Sequence, residues 1–198
     1  TMTVGNISAL VQSNVKRMLA FSSVSHAGYL VMGVLVNDVA GISAILFYLV
    51  VYSTMNLGAF AIISSVEKDG QEVTFKDYRG MASRNPLLSV AMALFMISLA
   101  GFPPTAGFVA KYGLFSAAIA KDYIWLVIIA VLNTLVSFYY YFRIIVNMYM
   151  RNEKEGLQPS MGFLTAGLIA LFVAAVFLLG ITPGYLLEIT IDVATGAS

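Results

Sequence analysis

The chain has 198 residues, of which 60% are apolar and 11% charged, with a formal net charge of +1 and a mean hydropathy of +0.87. A soluble domain is about half apolar and a quarter charged, so this chain lacks the polar surface to coat a compact body in water and must be solvated by lipid. That excludes a soluble enzyme; the near-zero charge gives no footprint for nucleic acid, and the absence of cysteine excludes disulfides, iron–sulfur clusters and thiol chemistry in this chain.

The opening Thr1-Met2-Thr3 has neither a basic region nor a cleavage site ahead of an apolar run, so it reads as an interior point of a longer protein. About 20 apolar residues cross the hydrocarbon core as a helix, and five stretches qualify. Residues 1–14 read as the tail of a preceding helix. The first full span runs over 15–36 and closes at the polar turn Asn37-Asp38. A second, over 41–66, stops at the charged segment from Glu67 to Arg84. The third covers 86–120 up to Lys121-Asp122, the fourth 123–150 up to the segment from Arg151 to Gly156, and the fifth 161–187. The expected fold is an all-α integral membrane protein with five full transmembrane helices plus the tail of a sixth.

Successive spans alternate direction, which sorts the loops onto two sides. Lys16, Arg17, Lys68, Lys76, Arg79, Arg84, Arg143, Arg151 and Lys154 fall on one side, and Lys121 alone on the other. Nine basic residues against one make the first side cytoplasmic under the positive-inside rule, with the C-terminus, Glu188 and Asp192 opposite.

The third span carries the strongest signal. Its 35 residues would make an unbroken helix about 52 Å long, far beyond the core thickness. In its middle stands Gly101-Phe102-Pro103-Pro104-Thr105-Ala106-Gly107. Two prolines remove two donors and clash with the preceding turn, so the helix breaks there and restarts at Pro104 or Thr105. Such a break persists at membrane depth only where protein or a wet cavity covers it, and interrupted helices recur in transporters.

Lys111 belongs to neither side. It lies ten residues before Lys121, about 15 Å along the helix, which places its amine near the bilayer midplane. A lysine there costs roughly 2.5–3.5 kcal/mol on insertion scales and is worth keeping where it faces a protein interior. Held out of water, an amine can be neutral as well as charged, so it can load and release a proton. The competing reading is a structural lysine that snorkels, but its stem is too short to reach the interface.

His26 lies ten residues beyond Lys16, again at mid-depth, and neutral imidazole can both donate and accept along a proton chain. Ser22, Ser23, Ser25 and Tyr29 would give it a polar stripe, with Ser22, Ser25 and Tyr29 at helical spacing; a packing histidine bonded to a backbone carbonyl or a serine is the alternative. Lys16 is explained by topology, with a direct role second. Asn56 reads as helix–helix glue. Tyr139, Tyr140 and Tyr141 ahead of Arg143 read as an interfacial aromatic anchor, with Tyr140 or Tyr141 lining a water path as the alternative. No nucleotide loop, metal-ligand spacing or nucleophile–base pair appears, and a single histidine cannot build a zinc cage.

At these residues the chain resembles a known family. Asn14 to Leu30 (NVKRMLAFSSVSHAGYL) is similar to the NIKR-L-YSSISH-GYL signature of the antiporter-like membrane subunits of respiratory complex I. Tyr52 to Ala61 (YSTMNLGAFA), Leu99 to Lys111 (LAGFPPTAGFVAK) and Tyr139 to Arg143 (YYYFR) resemble three further family motifs in the same order. Relatives in subunits L and M and in multisubunit sodium/proton antiporters typically carry a histidine on the second span here, where this chain has Met55-Asn56-Leu57-Gly58. That departure and the missing lateral C-terminal helix favour the subunit N branch.

The resemblance implies that residues 1–198 are the C-terminal part of one antiporter-like transmembrane domain. It implies that Lys111 is the terminal lysine of a central hydrophilic axis, that His26 is a further proton-transfer group, and that Gly101, Pro103, Pro104 and Gly107 form the structural break. It also implies a proton-translocating subunit of the bacterial inner membrane beside subunits M, K and J, in lipid and without nucleic acid. NADH, FMN, iron–sulfur clusters and quinone would sit in partner subunits and no cofactor in this chain. A cation/proton antiporter subunit and a passive membrane scaffold are the rival readings.

Overall fold

The computed structural model describes residues 1–67, 73–151 and 161–196. Lys68 and Lys154 lie outside the described residues. Those described form nine helices: α1 Met2–Leu10, α2 Val15–Val36, α3 Val39–Val66, α4 Met81–Arg84, α5 Pro86–Ala100, α6 Ala106–Ile119, α7 Ile124–Met150, α8 Phe163–Ile181 and α9 Gly184–Thr195. Four of these, α2, α3, α7 and α8, are long and apolar enough to cross a membrane; α5 and α6 are shorter apolar helices.

The helix ends follow the polar punctuation of the sequence. Asn14 caps α2 by accepting from the Arg17 N–H at 2.9 Å, and Asn37 ends it in the left-handed region. Asp38 caps α3 from the Gly41 N–H at 2.9 Å, so that helix begins at Val39 rather than Gly41. The Gly41 N–H and the Lys121 ammonium hold the Asp38 carboxyl below its ordinary range. Lys121 pairs with Asp38 at 3.1 Å, which brings the turns at 37–38 and 121–122 to one end of the bundle.

Opposite that end, Lys16 pairs with Glu67 at 3.0 Å. The chain after α3 is tied down there too: Asn14 and Thr74 form an isolated bridge, and the Arg143 guanidinium lies 4.0 Å over the Phe75 ring. The short helix α4 within this charged segment had no apolar periodicity to announce it.

The third expected span is broken, with α5 and α6 separated by Gly101–Thr105 and the restart at Ala106. Two glycines make the join. Gly101, at φ +85°, turns the chain in a conformation that other residues resist. Gly107 lets the first turn of α6 lie against the last turn of α5, where a Cβ would run into the Ser98 carbonyl; its N–H donates to Ser98 Oγ at 3.1 Å.

The fifth expected span, 161–187, is corrected. It divides at Thr182-Pro183 into α8 and α9, because Pro183 has no N–H to donate and disfavours helix at the residue before it. A run of apolar residues hid that proline. α9 is tied back to α3 through Thr190 Oγ1 and Ser43 Oγ at 2.9 Å. The core lies where α2, α3, α5, α6 and α7 meet, around the buried Tyr48, Phe95, Met96, Leu99 and Tyr141.

Adding one methyl at Gly107 therefore forces backbone apart. Gly107→Ala is expected to destabilise by about 3 kcal/mol or more, whereas Gly167→Ala, whose Cβ meets open space, stays within about 0.5 kcal/mol. Midpoints of thermal unfolding in detergent check this, and equal midpoints for the two variants would contradict the close packing.

Candidate functional site

An α-helix that ends inside a membrane leaves carbonyls without partners. At the end of α5 the Gly101 N–H satisfies Ser98 at 2.9 Å and shares Ile97 at 3.2 Å, and the Phe102 N–H also takes Ile97. That leaves Leu99 and Ala100. Lys111, on the second turn of α6, supplies both: Nζ donates to the Leu99 carbonyl at 3.1 Å and to the Ala100 carbonyl at 3.0 Å. The side chain is 4% exposed. Its charge meets the negative end of the α5 dipole rather than a carboxylate. Gly101 serves here as well, since a Cβ on it would stand 3.0 Å from Lys111 Cδ.

His26 faces the same interior from α2 and is buried. Both ring nitrogens are engaged by tyrosines, Nδ1 with Tyr48 Oη at 2.7 Å and Nε2 with Tyr141 Oη at 3.0 Å. A neutral imidazole accepts from one and donates to the other. Tyr52 stacks on the ring at a centroid distance of 4.5 Å, and Asn56 Nδ2 donates to the Tyr52 hydroxyl at 3.1 Å. Tyr29 stands between the two centres. Its ring meets His26 edge-on at 6.0 Å, and Lys111 Nζ lies 5.2 Å from its centroid.

A second polar layer joins α1 to α7. Asn6 Nδ2 donates to the Asn133 carbonyl at 2.9 Å and to its Oδ1 at 3.0 Å, and the Tyr140 hydroxyl donates to Asn6 Oδ1 at 2.8 Å. Every member is uncharged, so this layer holds helices together.

The structure thus brings together Lys111, His26, Tyr141 and Gly101, with Tyr140 one layer away. It corrects the interfacial anchor: Tyr140 and Tyr141 are buried and only Tyr139 faces outward. The reason is periodicity, because residues 133, 137, 140, 141, 144 and 148 share the inner face of α7. Ser22, Ser25 and Tyr29 share the buried face of α2 with His26, as their spacing predicts, but the serine hydroxyls turn elsewhere. Ser22 Oγ spends its hydrogen on the Leu19 carbonyl and Ser25 Oγ on the Met2 carbonyl, so the hydroxyls that reach His26 come from α3 and α7.

Lys16 is exposed at the Glu67 end and takes no part in the cluster. Pro103 and Pro104 lie on the surface of the described chain, while Gly107 is buried beneath them. Sequence reasoning missed Tyr48, Asn6 and Asn133; the spacing of Asn133, Ser137, Tyr140 and Tyr141 was the signal that could have found the last.

Known proteins resemble this arrangement. A family profile described as NADH:quinone oxidoreductase/Mrp antiporter, TM, matches residues 1–137. The NADH-quinone oxidoreductase subunit N of Trichlorobacter lovleyi is 54% identical over 156 residues, which cover 78% of this chain and 32% of that protein. Among solved structures, a chain of respiratory complex I from Thermus thermophilus with bound aureothin aligns at a TM-score of 0.83 and 34% identity, covering 94% of this chain and 42% of that one. A chain of the Mrp complex from Dietzia sp. aligns at 0.87 and 23% identity over 99% of this chain and 45% of its own length, a likeness of fold alone. The chain spans about a third of the curated relative and under half of either solved chain.

Loss of Asn6 would orphan the Tyr140 donor and the Asn133 amide oxygen. Asn6→Leu is expected to cost about 1–3 kcal/mol, and adding Tyr140→Phe to recover part of it. A thermal double-mutant cycle measures the coupling; strict additivity would mean that the layer is not connected.

Proposed function

The chain belongs to the membrane-subunit family of NADH:quinone oxidoreductases and Mrp antiporters, and from that premise we propose that it is the C-terminal part of a proton-translocating membrane-arm subunit of a NADH:quinone oxidoreductase, of the subunit N type. The single observation that carries the proposal is the Lys111 ammonium, buried at a broken helix and held by two carbonyls instead of a carboxylate. An amine so placed can release one proton and remain hydrogen-bonded through the protons it keeps. His26, bracketed by Tyr48 and Tyr141, is the second proton-transfer group.

In this reading protons travel along a polar axis inside the membrane, and Lys111 delivers them toward the face opposite the basic loops. The driving force is quinone reduction in other subunits, where NADH, FMN, iron–sulfur clusters and quinone belong. This chain supplies the proton carrier and the low-dielectric walls around it. Five spans and the tail of a sixth, with α5 and α6 forming one broken span, put the basic loops in the cytoplasm of a bacterium and the C-terminus across the inner membrane. The partners are the neighbouring subunit M and the small subunits K and J. An Mrp-type antiporter would share the fold; the identity to a subunit N protein favours the oxidoreductase.

Lys111→Met and Lys111→Ala are expected to reduce proton pumping and coupled NADH oxidation severely while the membrane arm still assembles. Lys111→Arg is expected to be impaired as well, since guanidinium keeps its proton in proteins. Proton uptake by proteoliposomes, read beside native-gel assembly, is the measurement. An assembled Lys111→Met complex that pumps at the wild-type rate would remove the proposal.

A further inference from the structure

A lysine ammonium has three N–H bonds. Two end on the Leu99 and Ala100 carbonyls, and among the described residues no carboxylate is ion-paired with Lys111. What remains beside the charge is the face of the Tyr29 ring, with Nζ 5.2 Å from its centroid, inside the roughly 6 Å over which a ring quadrupole attracts a cation. That ring is 1% exposed, so the attraction acts in a low dielectric.

The ring is also held in place from directions other than the lysine. Its hydroxyl shares a hydrogen bond with Thr134 Oγ1 at 3.0 Å and donates toward the Ala130 carbonyl at 3.4 Å, both on α7. Phe115 packs on it from α6 at a centroid distance of 6.2 Å, and His26 meets it edge-on. Its hydroxyl is thus committed to α7, and the π face is what it offers to Lys111. Among the described residues no other aromatic ring shares this ammonium.

We propose that Tyr29 is a positioning residue for proton carriage by Lys111, its ring face completing the cradle begun by the α5 carbonyls and favouring the protonated amine. The ring attracts the ammonium and has little attraction for the neutral amine, so Tyr29 couples the charge of Lys111 to the seat of its Nζ under the broken helix. Because the same ring touches His26, it places the two proton-transfer groups in one rigid frame across α2, α6 and α7. The inference rests on the reading of Lys111 as a proton carrier.

The test replaces Tyr29 in the full-length subunit, within the assembled complex, by phenylalanine and then by mono-, di- and trifluorinated phenylalanine. These rings have nearly one shape and progressively less negative faces. Protons pumped per NADH oxidised are measured in proteoliposomes, with Tyr29→Leu and Lys111→Met alongside. Phenylalanine is expected to retain most of the coupling, each added fluorine to lower it, and Tyr29→Leu to lose about tenfold. A flat response along the fluorinated series, with Lys111→Met inactive, would overturn the role of Tyr29 and leave that of Lys111 standing. Full pumping by Lys111→Met would overturn both. The near-isosteric series keeps the result independent of whether the leucine variant folds.

Discussion

Two expensive features of this chain cancel one another. A helix that stops in the middle of a membrane exposes carbonyls that lipid cannot satisfy, and a lysine at that depth carries a charge that lipid cannot solvate. The contact of Lys111 with Leu99 and Ala100 resolves both at once. Its geometry is demanding. Gly101 must turn the chain in the left-handed region, and α6 must approach α5 closely enough that only a glycine fits at 107. The result is two half-helices joined around an ammonium rather than one unbroken span.

The polar interior divides by what its members can do. The layer of Asn6, Asn133 and Tyr140 is neutral and joined by hydrogen bonds that bind α1 to α7. The neighbouring layer contains an amine and an imidazole, groups whose charge can change, and it is walled by Tyr29, Tyr48, Tyr52 and Tyr141. Tyrosine suits such a wall, because its ring excludes water while its hydroxyl finds a partner. Three of these four come from α2 and α3, and the fourth from α7.

Much of this was legible in the sequence, for identifiable reasons. The double proline marked the break, and a lysine within the apolar run that follows it called for a protein interior, where the structure buries Lys111. Partners are different. His26 meets residues 22 and 115 positions away, and no local pattern encodes which tyrosine will face it. Three tyrosines in a row suggested an anchor by composition, whereas a 100° rotation per residue sends Tyr139 outward and its two neighbours inward. The end of the fifth span was lost for the opposite reason. Hydropathy averaged over Pro183, although the proline alone defines where α8 must stop.

Among the described residues Lys111 has no carboxylate partner, and that has an electrostatic consequence. A salt-bridged lysine that loses its proton takes the pair from neutral to one negative charge. A lysine balanced only by carbonyl dipoles and a ring face changes the local charge between one and zero. In a medium of low dielectric that change reaches far, since the interaction between charges falls only with distance and is little screened by salt. Neutral hydrogen-bond networks around it, such as the Tyr48–His26–Tyr141 chain, can reorient in response without themselves taking on charge. A change of one charge at the break therefore acts well beyond the immediate contacts of Lys111.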